Sequence, residues 1–432
     1  MMALAYADFI EMKRRRHGDV GRDIDPDELH PSMFGFQRAI TAWACRKGRA
    51  AVFADCGLGK SRIQLEWARM VGTRSLIVAP LSVARQTVRE AHAIGIDLHY
   101  VRNGLDADSD GLWITNYEMI ERFDPAMFDA VVIDESSILK NVEGKTRRLL
   151  TEMFAETPLR LACTATPAPN DVAELTNHAE FLGVMPRNEM LAAYFVHDDE
   201  GWRLKGHAQD PMYKWMATWG VALRRPSDLG YSDEGYNLPP LSIIPEIVQA
   251  DIEAEGQLFA TELGGIGGRS KVRKATMSKR VQRAVDLARG DEQWIVWCGL
   301  NDEADACAKA IDGAVNVEGS WAPERKAAAL EAFQDGTVRV LVTKVTIAGF
   351  GMNFQNCHQM AFVGLGDSYE QYYQAIRRCY RFGQTRPVEA HVVLSTLESQ
   401  IAINVQRKEA TALAVTDRLV AHVRQHFEGA TA

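Results

Sequence analysis

Ala51-Val52-Phe53-Ala54-Asp55-Cys56-Gly57-Leu58-Gly59-Lys60-Ser61 is the stretch on which the fold turns. A short apolar run gives way to two glycines, then to a lysine and a hydroxyl residue. Ile63, Trp67 and Met70 follow at i, i+4 and i+7, the spacing of an amphipathic helix. Strand, glycine-rich loop, Lys-Ser and helix, in that order, make the setting of a phosphate-binding loop. Glycines let backbone N–H groups curl around phosphate oxygens, and the helix N-terminus adds its positive dipole. Gly57, Leu58, Gly59, Lys60 and Ser61 are therefore candidate nucleotide-binding residues. Lys60 would neutralise the β- and γ-phosphates and Ser61 would hold Mg²⁺. The strict pattern has glycine where this chain has Ala54. On these residues alone, a glycine-rich strand-to-helix turn with an exposed lysine stays open.

Outward from this loop, short apolar runs alternate with helical patterns. Ser75–Ala79, Ala130–Ile133 and Leu161–Cys163 read as further buried strands. A second series reads the same way: Trp294–Trp297, Val338–Val342, Met360–Val363 and Ala390–Val393. Their shortness, β-branching and flanking turn residues favour strand over helix. Strands alternating with helices imply a parallel sheet covered on both faces, and two series imply two α/β lobes. The strand at 130–133 ends in Asp134-Glu135-Ser136-Ser137. Carboxylates at the C-terminal end of a parallel strand face the ligand crevice. Asp134 would hold Mg²⁺, and Glu135 would orient and deprotonate an attacking water. The same four residues also suit a helix N-cap.

Between the two series the character changes. Asn237-Leu238-Pro239-Pro240 reads as a linker, and Leu263-Gly264-Gly265-Ile266-Gly267-Gly268 as a flexible loop. That loop lacks the G-x-G-x-x-G spacing of a dinucleotide fingerprint. The basic run Arg269, Lys271, Arg273, Lys274, Lys279, Arg280, Arg283 reads as a solvated helix face in preference to a nucleic-acid contact. The tail from Ser399 reads as helix, with Ile401, Val405, Leu419 and Val423 as its apolar positions. It is expected to dock on the second lobe.

The 432 residues suggest two or three domains at ~100–200 residues each. Hydrophobic residues make up 47% and charged residues 25%, which excludes collagen-like and wholly disordered chains. Forty-nine basic residues against 57 acidic ones give a net charge of −8, so any nucleic-acid surface must be a local groove. The seven cysteines are scattered and never form C-x-x-C, so no zinc site is expected and a reducing cytosol is. No apolar run approaches the ~20 residues of a membrane span, and no membrane association is expected. The opening MMALAYADFIEMKRRR places its charges after the apolar stretch, the reverse of a secretory signal.

Several further segments, taken with the loop and the acidic pair, carry a family resemblance. Met33-Phe34-Gly35-Phe36-Gln37-Arg38 lies before the loop. Leu76-Ile77-Val78-Ala79-Pro80-Leu81-Ser82-Val83 and Trp113-Ile114-Thr115-Asn116-Tyr117-Glu118 follow it. The acidic pair extends to Asp134-Glu135-Ser136-Ser137-Ile138-Leu139-Lys140-Asn141, a D-E-x-x-x-x-K-N form. Then come Thr164-Ala165-Thr166-Pro167-Ala168-Pro169-Asn170, and Leu223-Arg224-Arg225 before Leu238-Pro239-Pro240. Later segments are Glu318-Gly319-Ser320 with Arg325 and Phe333, and Ala348-Gly349-Phe350-Gly351-Met352-Asn353-Phe354. The last is Gln374-Ala375-Ile376-Arg377-Arg378-Cys379-Tyr380-Arg381-Phe382-Gly383-Gln384. In order and content the chain resembles the superfamily-two helicases, and among them the Swi/Snf-type DNA translocases in a compact phage- or bacterial-like form. Arg377 and Tyr380 depart from the small residue and the histidine usual there.

The resemblance implies an α/β fold of two tandem RecA-like lobes, each a parallel sheet with helices on both faces, with the nucleotide in the interlobe cleft. The boundaries it implies are an N-terminal extension over 1–30, an ATP-binding lobe over 31–238, and a second lobe over 239–432 with a helical tail. It implies ATP and Mg²⁺ as cofactors. It assigns adenine recognition to Gln37, further nucleotide contacts to Gly349 and Gly351, and coupling of hydrolysis to movement to Thr164, Thr166 and Gln374. Arg378 and Arg381 would reach the γ-phosphate from the second lobe. Pro80, Ser82, Thr115, Asn116 and Asn353 would lie against a nucleic-acid backbone. The implied partner is nucleic acid, DNA over RNA and duplex over single strand, with a protein partner for targeting. The implied activity is nucleic-acid-stimulated ATP hydrolysis driving translocation in the cytosol of a bacterial or phage-infected cell. A strand-separating helicase and a partner-dependent ATP-driven switch stay open as alternatives.

Overall fold

The computed structural model describes residues 18–430 apart from 142, 200, 250–274, 350–351, 365, 367 and 397–398. The chain divides into two compact units, 235–409 and the remainder on either side of it.

The first unit is built on a seven-stranded parallel sheet. Its strands are β1 (Arg49–Ala54), β2 (Arg74–Ala79), β3 (Leu98–Tyr100), β4 (Gly111–Asn116), β5 (Ala130–Asp134), β6 (Leu159–Cys163) and β9 (Gly220–Leu223), in the order β3-β4-β2-β5-β6-β1-β9. A hairpin of β7 (Phe195–Asp198) and β8 (Gly201–Leu204) stands apart. Ala51 and Phe53 of β1 enter one core cluster with Leu76, Val78, Val131 and Ile133, while Ala50, Val52 and Ala54 are buried on the opposite face. Burial on both faces explains why these strands read as continuous apolar runs. Asp129, just before β5, ties two strand starts together. Its carboxylate accepts from Thr73 Oγ1 at 2.6 Å and from the Thr73 and Arg74 N–H groups at 3.1 Å each. The Thr73 hydroxyl leads these bonds in holding that carboxyl below its ordinary range.

The second unit carries a six-stranded parallel sheet. Its strands are β10 (Leu241–Val248), β11 (Trp294–Cys298), β12 (Ala314–Val317), β13 (Val340–Thr343), β14 (Gln359–Val363) and β15 (Val388–Ser395), ordered β10-β15-β14-β11-β13-β12. Trp294, Val296, Val340, Val342, Ala361 and Val363 form one core face, and Ile295, Trp297, Leu341, Met360 and Phe362 are buried on the other. Both units are RecA-like, as the sequence implies, with helices flanking each parallel sheet.

Two expectations are corrected. The tail was expected on the second lobe, yet Val415, Leu419 and Val420 belong to the core of the first unit. Arg224 pairs with Asp417, and His422 Nε2 lies 2.9 Å from Asp210 Oδ1. An apolar helix stripe announces that it will be covered but not by what. The described part of the N-terminal extension, residues 18–30, packs on the first unit. Ile24 and Leu29 are buried, and the Arg22 N–H donates to the Cys45 carbonyl at 2.9 Å. The remainder of that extension, the glycine loop at 263–268, and Arg269, Lys271, Arg273 and Lys274 lie outside the described residues.

The described part of the basic run is not a solvated face. Arg280, on the helix Met277–Leu287, is fully buried, as is its partner Glu303, with 2.7 Å between Nη1 and Oε1. Glu303 Oε2 also accepts from the Gly299 and Leu300 N–H groups at 3.0 and 2.9 Å, capping the helix Asn301–Ala310. Arg283 donates to Glu246 Oε2 at 2.8 and 3.0 Å. Removing one partner of a buried pair strands the other charge. Arg280→Met is therefore expected to destabilise the protein by about 3–5 kcal/mol in chemical denaturation. A loss below about 1 kcal/mol would show that Glu303 does not need the guanidinium.

Candidate functional site

The first unit gathers its candidates along one edge. In sheet order, the C-terminal ends of β4, β2, β5, β6 and β1 lead into Asn116, Pro80, Glu135, Thr164 and Asp55. Open parallel sheets bind ligands along this edge, because the strands end there and helix N-termini begin.

The phosphate loop runs from β1 into the helix Lys60–Val71. Gly57 and Gly59 have φ of 85° and 80°, in the left-handed region that favours glycine. Gly59 is doubly required, since a Cβ there would lie 2.2 Å from Gln37 Nε2. Lys60 Nζ folds back over the loop and donates to the Ala54 and Asp55 carbonyls at 2.8 and 3.3 Å. Ala54 thus supplies a carbonyl to Lys60 where the strict pattern has glycine. Gln37 is buried against the same loop. Its Nε2 donates to the Leu58 carbonyl at 3.0 Å, and its Oε1 accepts from the Phe34 N–H at 3.0 Å.

One turn into the helix, Gln64 joins the loop to the acidic pair. Its Nε2 donates to Asp134 Oδ1 at 2.7 Å, and both side chains are buried. Burial raises the Asp134 carboxyl above its ordinary value, opposed by the Gln64 hydrogen bond and by the charge of Lys60. Asp134 and Ser61 are hard oxygen donors of the kind Mg²⁺ takes. A cation at this buried carboxylate would offset its desolvation. Gln64 Oε1 and Thr166 Oγ1 are buried with no hydrogen-bond partner among the described residues. A bound cation or an ordered water would satisfy buried polar atoms of this sort. The donor set fits ATP with Mg²⁺.

Glu135 is the one non-glycine residue with positive φ, 54°, among those described. That conformation costs on the order of 1–3 kcal/mol and persists where the surroundings impose it. Behind it, Ser136 Oγ and His178 Nε2 are 3.1 Å apart, both buried, and burial pushes the imidazole down to about 4, so it is neutral. Asn177 Nδ2 donates to the Leu139 carbonyl at 2.9 Å and holds the rest of the box. Thr164 Oγ1 accepts from the Thr166 N–H at 3.1 Å.

The residues read as nucleic-acid contacts divide. Pro80 and Ser82 are half-exposed at the start of the helix Leu81–Ala93. Thr115 and Asn116 are buried: Thr115 Oγ1 donates to the Val101 carbonyl at 2.8 Å, and Asn116 Oδ1 accepts from Tyr100 at 2.6 Å. Their side chains brace the strand ends. β2 and β4 finish side by side, Ala79 opposite Asn116, so the backbone there is shared edge.

In the second unit Gly349 abuts Val345, and a Cβ would lie 2.3 Å from the Val345 carbonyl oxygen. Gly351 lies outside the described residues. The helix Tyr369–Cys379 presents Gln374 and Arg378. Arg378 is buried, donating to the Gln374 carbonyl at 3.0 Å, Gln374 Oε1 at 2.8 Å and the Met352 carbonyl at 3.1 Å. Arg381 is half-exposed and donates to Asn353 Oδ1. Gln384 Nε2 ties this turn together through the Gln355, Cys357 and Cys379 carbonyls. Sequence reading missed Gln64, Tyr117 and the Ser136–His178 pair. Tyr117 and Ser136 stood inside quoted motifs; Gln64 and His178 did not.

A family model described as Helicase conserved C-terminal domain matches residues 278–383. SWI/SNF-related matrix-associated actin-dependent regulator of chromatin subfamily A-like protein 1 of Bos taurus is 23% identical over 415 residues, 85% of this chain. The protein of the same name from Xenopus tropicalis is 22% identical over 412 residues, also 85%. In its second unit the chain matches the helicase C-terminal domain, and over most of its length it is similar to SWI/SNF-related proteins. The chain spans 43% of the length of those curated relatives. Among solved structures, the Sulfolobus solfataricus SWI2/SNF2 ATPase core in complex with dsDNA is similar at 18% identity and a TM-score of 0.44, over 94% of this chain and 97% of that one.

Proposed function

We propose that this Swi/Snf-type chain hydrolyses ATP with Mg²⁺ and uses the cycle to translocate on DNA, on duplex in preference to single strands. The observation that carries the reading is the convergence of Lys60, Gln64, Asp134 and Glu135 at the C-terminal ends of β1 and β5. A phosphate loop alone binds nucleotide; a buried carboxylate and a backbone-constrained glutamate beside it equip the site for hydrolysis. Lys60 holds the β- and γ-phosphates, Ser61 and Asp134 hold Mg²⁺, and Glu135 activates water. Gln37 recognises adenine, Gly349 and Gly351 complete the nucleotide contacts, and Thr164, Thr166 and Gln374 relay the cycle. Arg378 and Arg381 of the second unit act on the γ-phosphate of the nucleotide bound by the first. The edge at Pro80, Ser82 and the β4 end, with Asn353, faces the DNA backbone, where phosphate contacts position a motor without reading sequence. A protein partner supplies targeting, and the cytosol of a bacterial or phage-infected cell is the place of action.

The test is steady-state ATPase activity alone and with double-stranded DNA, single-stranded DNA or RNA. Stimulation mainly by duplex DNA is expected. Stimulation mainly by single strands would replace translocation by strand separation, and no stimulation would move the chain to a partner-dependent switch. Lys60→Ala is expected to weaken ATP binding roughly 10- to 100-fold, the loss of one charged hydrogen-bond set on phosphate. Titration with a fluorescent ATP analogue measures it, and unchanged affinity would reject the phosphate-loop assignment.

A further inference from the structure

Tyr117 follows Asn116 directly, at the end of β4, and packs partly buried against the core of the first unit. Its hydroxyl donates to the backbone carbonyl of Asp134 at 2.5 Å. The N–H of the same peptide group, that of Glu135, donates to Asp134 Oδ1 at 3.0 Å. The peptide joining Asp134 to Glu135 is thus held at both its polar atoms, one from the neighbouring motif and one from its own carboxylate. Beyond it, the Ile138 N–H donates to the Glu135 carbonyl at 3.1 Å. Glu135 leaves this clamp with φ of 54°. Such a backbone angle relaxes unless it is imposed, and rotating the clamped peptide would swing the Glu135 side chain.

We propose that Tyr117 is a positioning residue whose hydroxyl, by holding the Asp134–Glu135 peptide, aims the Glu135 carboxylate and couples the β4 edge to hydrolysis. This rests on the functional reading above, in which Glu135 activates water and the ends of β2 and β4 face DNA. The connection is short. Asn116 is braced by Tyr100 and by Glu118, so a load on this strand end reaches Tyr117 through one peptide bond. Burial, with the nearby Asp134 and Glu135 carboxylates, holds the Tyr117 phenol well above its ordinary value, so it stays protonated as the donor this contact needs.

Tyr117→Phe removes the hydroxyl and keeps the ring. Steady-state ATPase rates of wild type and variant, with and without saturating duplex DNA, are compared alongside melting temperature. The expected result is a kcat lower by roughly 10- to 100-fold with DNA present, the cost of a misaimed catalytic group. The KM for ATP and the melting temperature should stay near wild type, and the ratio of stimulated to basal rate should fall. A kcat and stimulation ratio matching wild type would overturn the proposal. So would a parallel loss of ATP binding and thermal stability, which a purely structural hydroxyl would produce. Wild-type protein that no nucleic acid stimulates would instead defeat the functional reading beneath it.

Discussion

Arg381→Ala is expected to lower single-turnover ATP hydrolysis by about 10³-fold or more while ATP affinity and melting temperature stay near wild type. Hydrolysis loads negative charge onto the transferring phosphoryl group, and a guanidinium placed there acts on the transition state more than on bound ATP. Of the two candidate arginines, Arg381 suits the task. It is half-exposed, and the contact described for it is to the Asn353 side chain. Arg378 is buried and braces Gln374 and the Met352 carbonyl, so replacing it would disturb the turn as well as the chemistry. Arg381→Lys keeps the charge but loses the planar fork, and should recover only part of the rate. A loss below tenfold for Arg381→Ala would remove it from the γ-phosphate.

Glu135→Gln should bind ATP normally and slow hydrolysis by about 10²- to 10⁴-fold, the usual worth of a general base. The substitution is nearly isosteric, and the backbone contacts that impose the positive φ involve main-chain atoms of Glu135. Geometry should therefore survive while proton acceptance is lost. Asp134 is assigned to Mg²⁺ in the proposed mechanism, and its Oδ1 already accepts from Gln64 and from the Glu135 N–H. Rapid-quench measurement of bound ATP hydrolysis checks this. A wild-type rate would show that another group activates the water.

The buried central strands were legible because parallel strands covered on both faces need continuous apolar runs. β1, β2, β5 and β6, and β11, β13, β14 and β15, were all found in this way. β3, β4, β9, β10, β12 and the hairpin strands β7 and β8 were not, although β4 is a buried interior strand. β3, β10 and β12 lie at sheet edges, where half-exposed residues leave little pattern, as in β10 with Ile243 and Ile247 exposed. β9, though fully buried, has only four residues. The phosphate loop and the acidic pair were legible because their chemistry demands particular residues at fixed spacing.

The sequence by itself determined two α/β lobes, the glycine-rich loop at Gly57–Ser61 and the acidic pair at Asp134-Glu135, since each follows from local pattern and composition. Tertiary structure alone decided which groups meet. It turned Arg280 inward onto Glu303, docked Val415 and Leu419 on the first unit, and placed Gln64 on Asp134 and Tyr117 on the peptide before Glu135. An arginine reads the same on a solvated face as in a buried pair, and a helix stripe reads the same against either lobe. The difference lies in partners brought from 17 to about 200 residues away, which only the folded chain brings together.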